Sequence, residues 1–114
     1  MKIYIAGPMS GIVDFNYPAF DLAETMLQAS NRDAEIINPA NNFNRSQTRT
    51  KSEYLRAAIR QVLDVDAMYM LPYWQESRGA RLEHEIASVL GLPIYELRDK
   101  RLEGAPDTTA QVAP

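Results

Sequence analysis

The chain has 114 residues, of which 46% are apolar and 24% charged, and this composition is typical of one globular domain. It contains no cysteine and a single histidine, His84, which excludes disulfides, iron–sulfur clusters, thiolate zinc sites, cysteine nucleophiles and a multi-histidine metal centre. The formal net charge of -3 disfavours a partner that is a nucleic-acid polymer, because proteins that bind its phosphates usually carry a strongly basic face.

The chain begins with MKIYIAGPMSG, in which one lysine and a short apolar stretch precede glycine and proline. This stretch is too short for the apolar core of a signal peptide and is typical of a first strand. Elsewhere no apolar run approaches the ~20 residues that a membrane-spanning helix needs. We therefore expect a cytoplasmic protein that makes no contact with a membrane.

Strand-like and helix-like patterns alternate along the chain. Short apolar runs next to Gly, Pro or Asn predict strands over residues 2–6, 34–37, 67–71 and 93–97. Apolar residues at helical spacing predict helices that begin near Asn16, Thr50 and Ser77. Residues 40–49 are polar and without periodicity, which predicts an irregular segment.

Local signals mark the ends of these helices. Pro18 suits the first turn of the first helix, because its missing N–H is not needed there. Thr50 and Glu53 have the spacing of a capping box, in which each side chain bonds the backbone N–H of the other residue. Gly91 is a suitable C-cap for the third helix, which is predicted to end near Leu90.

This alternation indicates the α/β class: a three-layer sandwich of flavodoxin-like or Rossmann-like type, with a parallel sheet of four or five strands. We predict the strand order 2-1-3-4, which creates a switch point between strands 1 and 3. Ligands of open α/β sheets bind there, beyond the carboxyl ends of the strands, so loops 7–15 and 72–79 are the candidates. One domain is predicted over residues 1–100 and a disordered tail over residues 101–114.

The loop after the first strand holds two glycines and a hydroxyl group, in the order Gly7, Pro8, Met9, Ser10 and Gly11. Glycine lets the backbone approach a ligand closely, and free N–H groups in such a loop can hold an anion. The loop matches neither the Walker A motif nor G-x-G-x-x-G. A plain turn with glycines at positive φ is the alternative interpretation.

The third helix carries the more specific signal. Gly79, Glu83, Ala87 and Leu90 recur at helical spacing, so that Glu83 interrupts a small and apolar stripe. A charge on a core-facing stripe indicates pairing or function. Gly79 leaves space beside the carboxylate, and Ser77 with the first-turn N–H groups could hold an anion in that space. The alternative is a glutamate that favours the helix dipole with its carboxylate in water.

Two further pairs also have alternative interpretations. Tyr73 and Trp74 either stack on a base or form an oligomer contact. Arg45 and Arg49 either close over a phosphate or belong to a solvated loop. Apolar and aromatic side chains are concentrated around the third strand, which predicts a homodimer or larger oligomer; the residues are Met68, Tyr69, Met70, Tyr73 and Trp74.

The remaining charged candidates favour a structural interpretation. Asp64 and Asp66 precede the third strand and are suited to cap the turn there. His84 and Glu85 flank Glu83 but point to other faces of the helix, so both are predicted on solvated surface.

Three motifs resemble those of the nucleoside 2-deoxyribosyltransferase-like superfamily: Y-I-A-G-P-M-S-G at the start, D-A-x-Y-M-L-P in the middle and S-x-G-A-x-x-E-x-x-x-A near the end. The resemblance covers roughly residues 2–97 in the same order, and it is closest to small members from bacteria and phages. The third motif is also similar to that of the 2'-deoxynucleoside 5'-phosphate N-glycosidases.

The resemblance implies roles for particular residues. Glu83 would attack C1' of the sugar, Ser77 would help to hold the 5'-phosphate, and Tyr4 would lie near the nucleophile. The predicted catalytic residues are thus Glu83 and Tyr4. The predicted substrate-binding residues are Gly7, Pro8, Met9, Ser10, Gly11, Asp66, Ser77 and Gly79.

One position departs from the pattern of the superfamily. Relatives carry an acid eight positions before the aspartate that precedes strand 3, and that count from Asp66 reaches Ala58. Either Asp64 or Asp66 replaces this acid, or the register differs, or catalysis is weakened.

The expected function is cleavage or transfer of the N-glycosidic bond of a (deoxy)nucleoside or its 5'-monophosphate, through a covalent glycosyl-enzyme. No metal or organic cofactor is expected, and the expected partners are this small molecule and further copies of the chain. The alternative is a non-catalytic nucleotide-binding or regulatory protein on the same scaffold, which the absence of an acid at Ala58 favours.

Overall fold

The structure, a computed structural model, describes residues 1–47 and 49–104. It confirms the predicted α/β class, and three of the strands are one or two residues shorter than expected. The strands are β1 (Lys2–Ala6), β2 (Glu35–Ile37), β3 (Ala67–Met70) and β4 (Ile94–Glu96). The helices are α1 (Tyr17–Ser30), α2 (Lys51–Val62) and α3 (Arg78–Leu90).

The strands form one sheet in the order β2-β1-β3-β4, as predicted, and every neighbouring pair is parallel. Ile3 of β1 lies between Ile36 of β2 and Ala67 of β3. Because the strand order reverses between β1 and β3, a crevice opens beyond their carboxyl ends, at Ala6 and Met70.

The side chains of β1 alternate between two cores, as the period of two in a strand requires. Ile3 and Ile5 pack with Phe20 of α1 on one face of the sheet. Tyr4 and Ala6 belong to the core on the other face, with residues of α2 and α3. The sheet therefore lies between α1 and the α2–α3 pair, which gives the three layers.

The predicted helix ends are confirmed. Pro18 lies in the first turn of α1. Thr50 Oγ1 accepts a hydrogen bond from the Glu53 N–H at 3.1 Å, and Glu53 Oε1 accepts one from the Thr50 N–H at 3.0 Å. Gly91 ends α3 in the left-handed conformation, with φ of 77°. None of the helices that the structure describes is long and apolar enough to span a bilayer.

The described part of residues 40–49 is irregular, as predicted, apart from the end of a 3-10 turn at Pro39–Asn41. It is attached to α1, because Arg45 makes a bidentate ion pair with Asp21 at 2.7 and 2.9 Å. Arg45 also lies over the ring of Tyr17, 4.4 Å from its centroid. Arg45 is thus held by a carboxylate and an aromatic ring on α1.

The packed structure continues beyond residue 100. Lys100–Leu102 form a 3-10 turn, and the Leu102 side chain is fully buried in the core beside α1. Residues 101–104 of the predicted tail are therefore ordered here, while residues 105–114 lie outside the described residues.

Candidate functional site

A cavity of about 1360 Å³ lies beyond the carboxyl ends of the strands, where the topology predicts a ligand. Its walls are the loop after β1, the first turns of α2 and α3, and the loop after β3. Three of the side chains that line it are large, hydrophobic and exposed, and we call them the cavity mouth: Phe15, Tyr73 and Leu82.

Glu83 and Tyr4 meet on the wall of this cavity. The Tyr4 hydroxyl donates a hydrogen bond of 2.6 Å to Glu83 Oε2. Glu83 is only 6% exposed, and Tyr4 is fully buried in the middle of the sheet. The stripe position of Glu83 on α3 thus turns its carboxylate inward, and the interpretation of a glutamate with its carboxylate in water is wrong.

Burial governs the ionisation of both groups. Removal from water raises the pKa of Glu83 to about 7, although the hydrogen bond from Tyr4 acts in the opposite direction. Burial and the neighbouring Glu83 together raise the pKa of Tyr4 well above its usual value. The proton of the pair therefore stays on Tyr4, and Glu83 exists in both protonation states near neutral pH.

The loop after β1 lines the cavity from Gly7 to Gly11, as predicted. A Cβ at Gly7 would lie 2.7 Å from Leu71 Cβ, so a glycine is required for packing against the end of β3. Gly11 has φ of 77° with open space around it, which is the strained turn position that glycine tolerates. Of these two glycines only Gly11 has the positive φ of the plain-turn interpretation, and the anion-binding interpretation stays a prediction.

Three consecutive non-glycine residues follow in the left-handed region: Asp14, Phe15 and Asn16, with φ of 53°, 51° and 64°. Each costs roughly 1–2 kcal/mol relative to a right-handed conformation. Asn16 is buried, and its Nδ2 donates to the Pro8 carbonyl at 2.9 Å. Such strain is typical of ligand-binding loops that the rest of the fold holds in place.

The first turn of α3 forms another wall. Ser77 Oγ accepts from the Ala80 N–H at 3.2 Å, so Ser77 caps the helix and its O–H remains able to donate to a ligand. A Cβ at Gly79 would meet only ordinary contacts, the nearest being Leu55 Cδ1 at 3.7 Å. Gly79 thus lines the cavity with ordinary contacts at its Cβ position rather than the expected open space, and packing does not require a glycine there.

Three basic side chains also line the cavity: Arg49, Lys51 and Arg78. Arg49 makes a loose ion pair with Glu53 at 3.5 Å, and its enclosed Nε has no hydrogen-bond partner among the residues that the structure describes. The sequence patterns indicate Arg49 as a candidate but not Lys51 or Arg78. The available signal was their position in the first turns of two helices that both begin at the carboxyl edge of the sheet.

Asp66 does not lie with the other predicted site residues. It precedes β3 at the amino edge of the sheet, where its Oδ2 accepts from the Lys2 backbone N–H at 2.7 Å. Asp64 is at the same edge and pairs with Lys2 Nζ at 2.6 Å. Ala58, by contrast, lines the cavity, whereas Asp64 and Asp66 are both bound at Lys2, so neither aspartate supplies an acid beside Ala58.

The aromatic candidates separate from each other. Tyr73 lines the cavity, whereas Trp74 stacks on His84 with ring centroids 4.3 Å apart and planes 11° apart. His84 is therefore half-buried rather than on solvated surface, while Glu85 is exposed as predicted. Within residues 1–47 and 49–104, no group of His, Asp and Glu is arranged to hold a metal ion.

Comparison with known proteins places this site in a family. No curated protein matches the chain. Residues 1–96, which contain the Tyr4–Glu83 pair and the loops around the cavity, match the family described as "Domain of unknown function (DUF4406)". The chain belongs to this family.

Proposed function

We propose that the protein cleaves or transfers the N-glycosidic bond of a (deoxy)nucleoside or its 5'-monophosphate, with Glu83 as nucleophile. The observation that carries this proposal is the buried Glu83 carboxylate, held by Tyr4 on the wall of a large cavity. Burial of a carboxylate with no cation beside it among the described residues is costly for the folded protein, and a pKa near neutrality is typical of functional groups. The sequence motifs that resemble the deoxyribosyltransferase-like superfamily include both residues.

In the proposed reaction, a Glu83 carboxylate oxygen attacks C1' of the sugar. The bond from C1' to the base nitrogen breaks, and the base leaves with the electron pair and takes up a proton. Water, or the nitrogen of a second base, then attacks C1' and releases the carboxylate. The Tyr4 O–H stabilises the ionised form of Glu83 and fixes the orientation of its oxygens.

In the proposed complex, a phosphate on the 5'-oxygen lies at the first turn of α3. The Ser77 hydroxyl and the first N–H groups of α3 can donate to its oxygens. Arg49, Lys51 and Arg78 add positive charge to the cavity walls. These groups favour a nucleotide over an uncharged nucleoside.

A non-catalytic nucleotide-binding protein is the second candidate, and one observation favours it. Ala58 lines the cavity at the position where the resemblance predicts an acid. Without this acid, the departing base takes its proton from water, which slows the first step. Such a protein would bind nucleotides in the same cavity and release no base.

One experiment separates the two candidates. The protein is incubated with the four deoxynucleosides and with their 5'-monophosphates, and free base is measured by chromatography. Release of base, together with a mass increase of the protein equal to the bound sugar, supports the glycosidase. Nucleotide binding without release in any of the eight reactions supports the binding protein.

We also propose that the protein is a homodimer or larger. Phe15 is 58% and Leu82 40% exposed at the cavity mouth, where a second copy would bury them. Met68 and Met70, which sequence analysis had counted toward this interface, are instead fully buried within the chain. Light scattering at micromolar concentration should give at least twice 12.9 kDa, and a monomer would contradict the proposal.

A further inference from the structure

The segment of residues 99–104, which we call the strap, runs from the end of β4 to the cavity. Asp99 caps it by accepting from the Arg101 N–H at 2.9 Å, and Leu102 anchors it in the core beside α1. Its last two residues, Glu103 and Gly104, line the cavity. The strap lies beyond residues 1–96, so it is outside the part of the chain that the family match covers.

Glu103 connects the strap to the loop after β3. The Tyr73 hydroxyl donates a hydrogen bond to Glu103 Oε1 at 3.1 Å. Tyr73 is half-exposed at the cavity mouth, so burial does not fix its ring there. The contact with Glu103 restricts the ring to the side of the cavity.

Gly104 connects the strap to the loop after β1. A Cβ at Gly104 would lie 2.4 Å from Asn16 Oδ1 and 2.6 Å from Ile12 Cγ2. The strap backbone therefore packs directly on the left-handed turn that ends at Asn16. A turn made of unfavourable conformations needs such support, since it relaxes when its surroundings allow.

We propose that the strap positions both loops of the cavity mouth, and that Glu103 acts through Tyr73 on the affinity for the ligand. The aromatic face of Tyr73 contacts the nucleobase, and Glu103 is a positioning residue that does not touch the reacting atoms. This inference rests on the proposed function for the identity of the ligand, but the mechanical role of the strap does not depend on it.

Enzyme kinetics with dAMP, dGMP, dCMP and dTMP test the role of Glu103. Glu103→Ala should raise KM about three- to tenfold, the effect of one hydrogen bond, with kcat within about twofold. Glu103→Gln keeps an acceptor oxygen and should restore the wild-type KM. In a Tyr73→Phe background Glu103→Ala should have no further effect. Lys100→Ala, an exposed position on the strap, is the matched control. An unchanged KM in Glu103→Ala, or an equal loss in both backgrounds, would overturn this role.

Hydrogen exchange tests the mechanical role without any turnover. Gly104→Ala should speed exchange at least tenfold at the Ile12 and Phe15 amides, which donate to the Met9 and Ile12 carbonyls. Glu103→Ala should do the same at the Glu76 amide, which donates to the Tyr73 carbonyl. If these amides exchange no faster in the two variants than in Lys100→Ala, the strap does not position the two loops. If the wild-type protein releases base from none of the four nucleotides, the proposed glycosidase function is wrong. The exchange result still shows whether the strap positions the two loops.

Discussion

The two edges of the sheet hold carboxylates in opposite environments. At the amino edge, Asp64 and Asp66 lie in water and bind the side chain and the backbone N–H of Lys2. At the carboxyl edge, Glu83 is buried against Tyr4, and the cavity and the left-handed turns lie beside it. Both edges contact β1, and they differ in exposure to solvent.

This difference separates carboxylates that solvent stabilises from one that burial destabilises. Water and Lys2 stabilise the charges at the amino edge, so those aspartates need no further partner. Burial instead raises the pKa of Glu83 to about 7, which destabilises the folded protein at neutral pH. A fold retains such a group where its chemistry is useful.

The largest effect is expected from a substitution at the carboxyl edge. Glu83→Gln keeps the shape and the acceptor for Tyr4 but removes the charge, so it should reduce base release by on the order of 10³-fold or more. Glu85→Gln, two residues away on the exposed face of α3, is the matched control and should leave the rate unchanged. The same nucleotide panel measures both variants. Full turnover by Glu83→Gln, or equal losses in both, would contradict the assignment.

The same substitution, which should reduce activity, should increase the free energy of unfolding. The folded pKa of Glu83 lies near 7, above its ordinary value of 4.5, so wild type binds more protons folded than unfolded between these values. Its free energy of unfolding therefore falls as pH rises through this interval, by about 3 kcal/mol. The free energy of unfolding of Glu83→Gln does not have this pH-dependent loss. Its advantage over wild type should therefore grow by about 2–3 kcal/mol from pH 5 to pH 8.

Urea unfolding at the two pH values measures this gain. Glu85→Gln should differ from wild type by the same small amount at both. A Glu83→Gln difference that does not grow from pH 5 to pH 8 would show that Glu83 is not buried in the ionised form.

The contribution of Tyr4 appears in the pH profile of activity. Because the proposed nucleophile is the ionised form of Glu83, kcat/KM for base release should rise with pH to a plateau, with a midpoint near 7. Tyr4→Phe removes the O–H that favours the carboxylate, so the midpoint should move upward by about one pH unit. Tyr95→Phe, an exposed tyrosine on β4, should keep the wild-type midpoint. A downward movement in Tyr4→Phe would contradict the direction of this hydrogen bond.

Local patterns predicted much of the fold and the position of Glu83. The Thr50–Glu53 box, Gly91 and the apolar stripe of α3 are signals within one or two helical turns, so the sequence alone reveals them. The left-handed turn at Asp14–Asn16 gave no such signal, because it depends on the distant Gly104 and on the Pro8 carbonyl. The burial of Leu102 likewise depends on residues distant in sequence, those of the core beside α1, so no local pattern predicts it.

The error at Asp66 has a general physical cause. A residue that directly precedes a strand of a parallel sheet lies at the amino edge, whereas the crevice for ligands lies at the carboxyl edge. Topology alone therefore separates Asp66 from Glu83 once the strands are known to be parallel. Asp66 serves in the resemblance only as the position from which eight residues are counted back to Ala58. This count does not require Asp66 to contact the ligand.

The smallest expected effect concerns the amino edge. Asp66→Asn keeps a side-chain oxygen that can accept from the Lys2 N–H, and the position is exposed, so Tm should change by no more than about 3 °C. Since the Asp66 side chain lies at the opposite edge of the sheet from Glu83, kcat/KM for base release should stay within about twofold of wild type. Thermal unfolding and the nucleotide assay check the two expectations on the same preparation. A loss of tenfold or more in kcat/KM with an unchanged Tm would show that Asp66 reaches a ligand, which in this fold requires the cavity of a second copy of the chain.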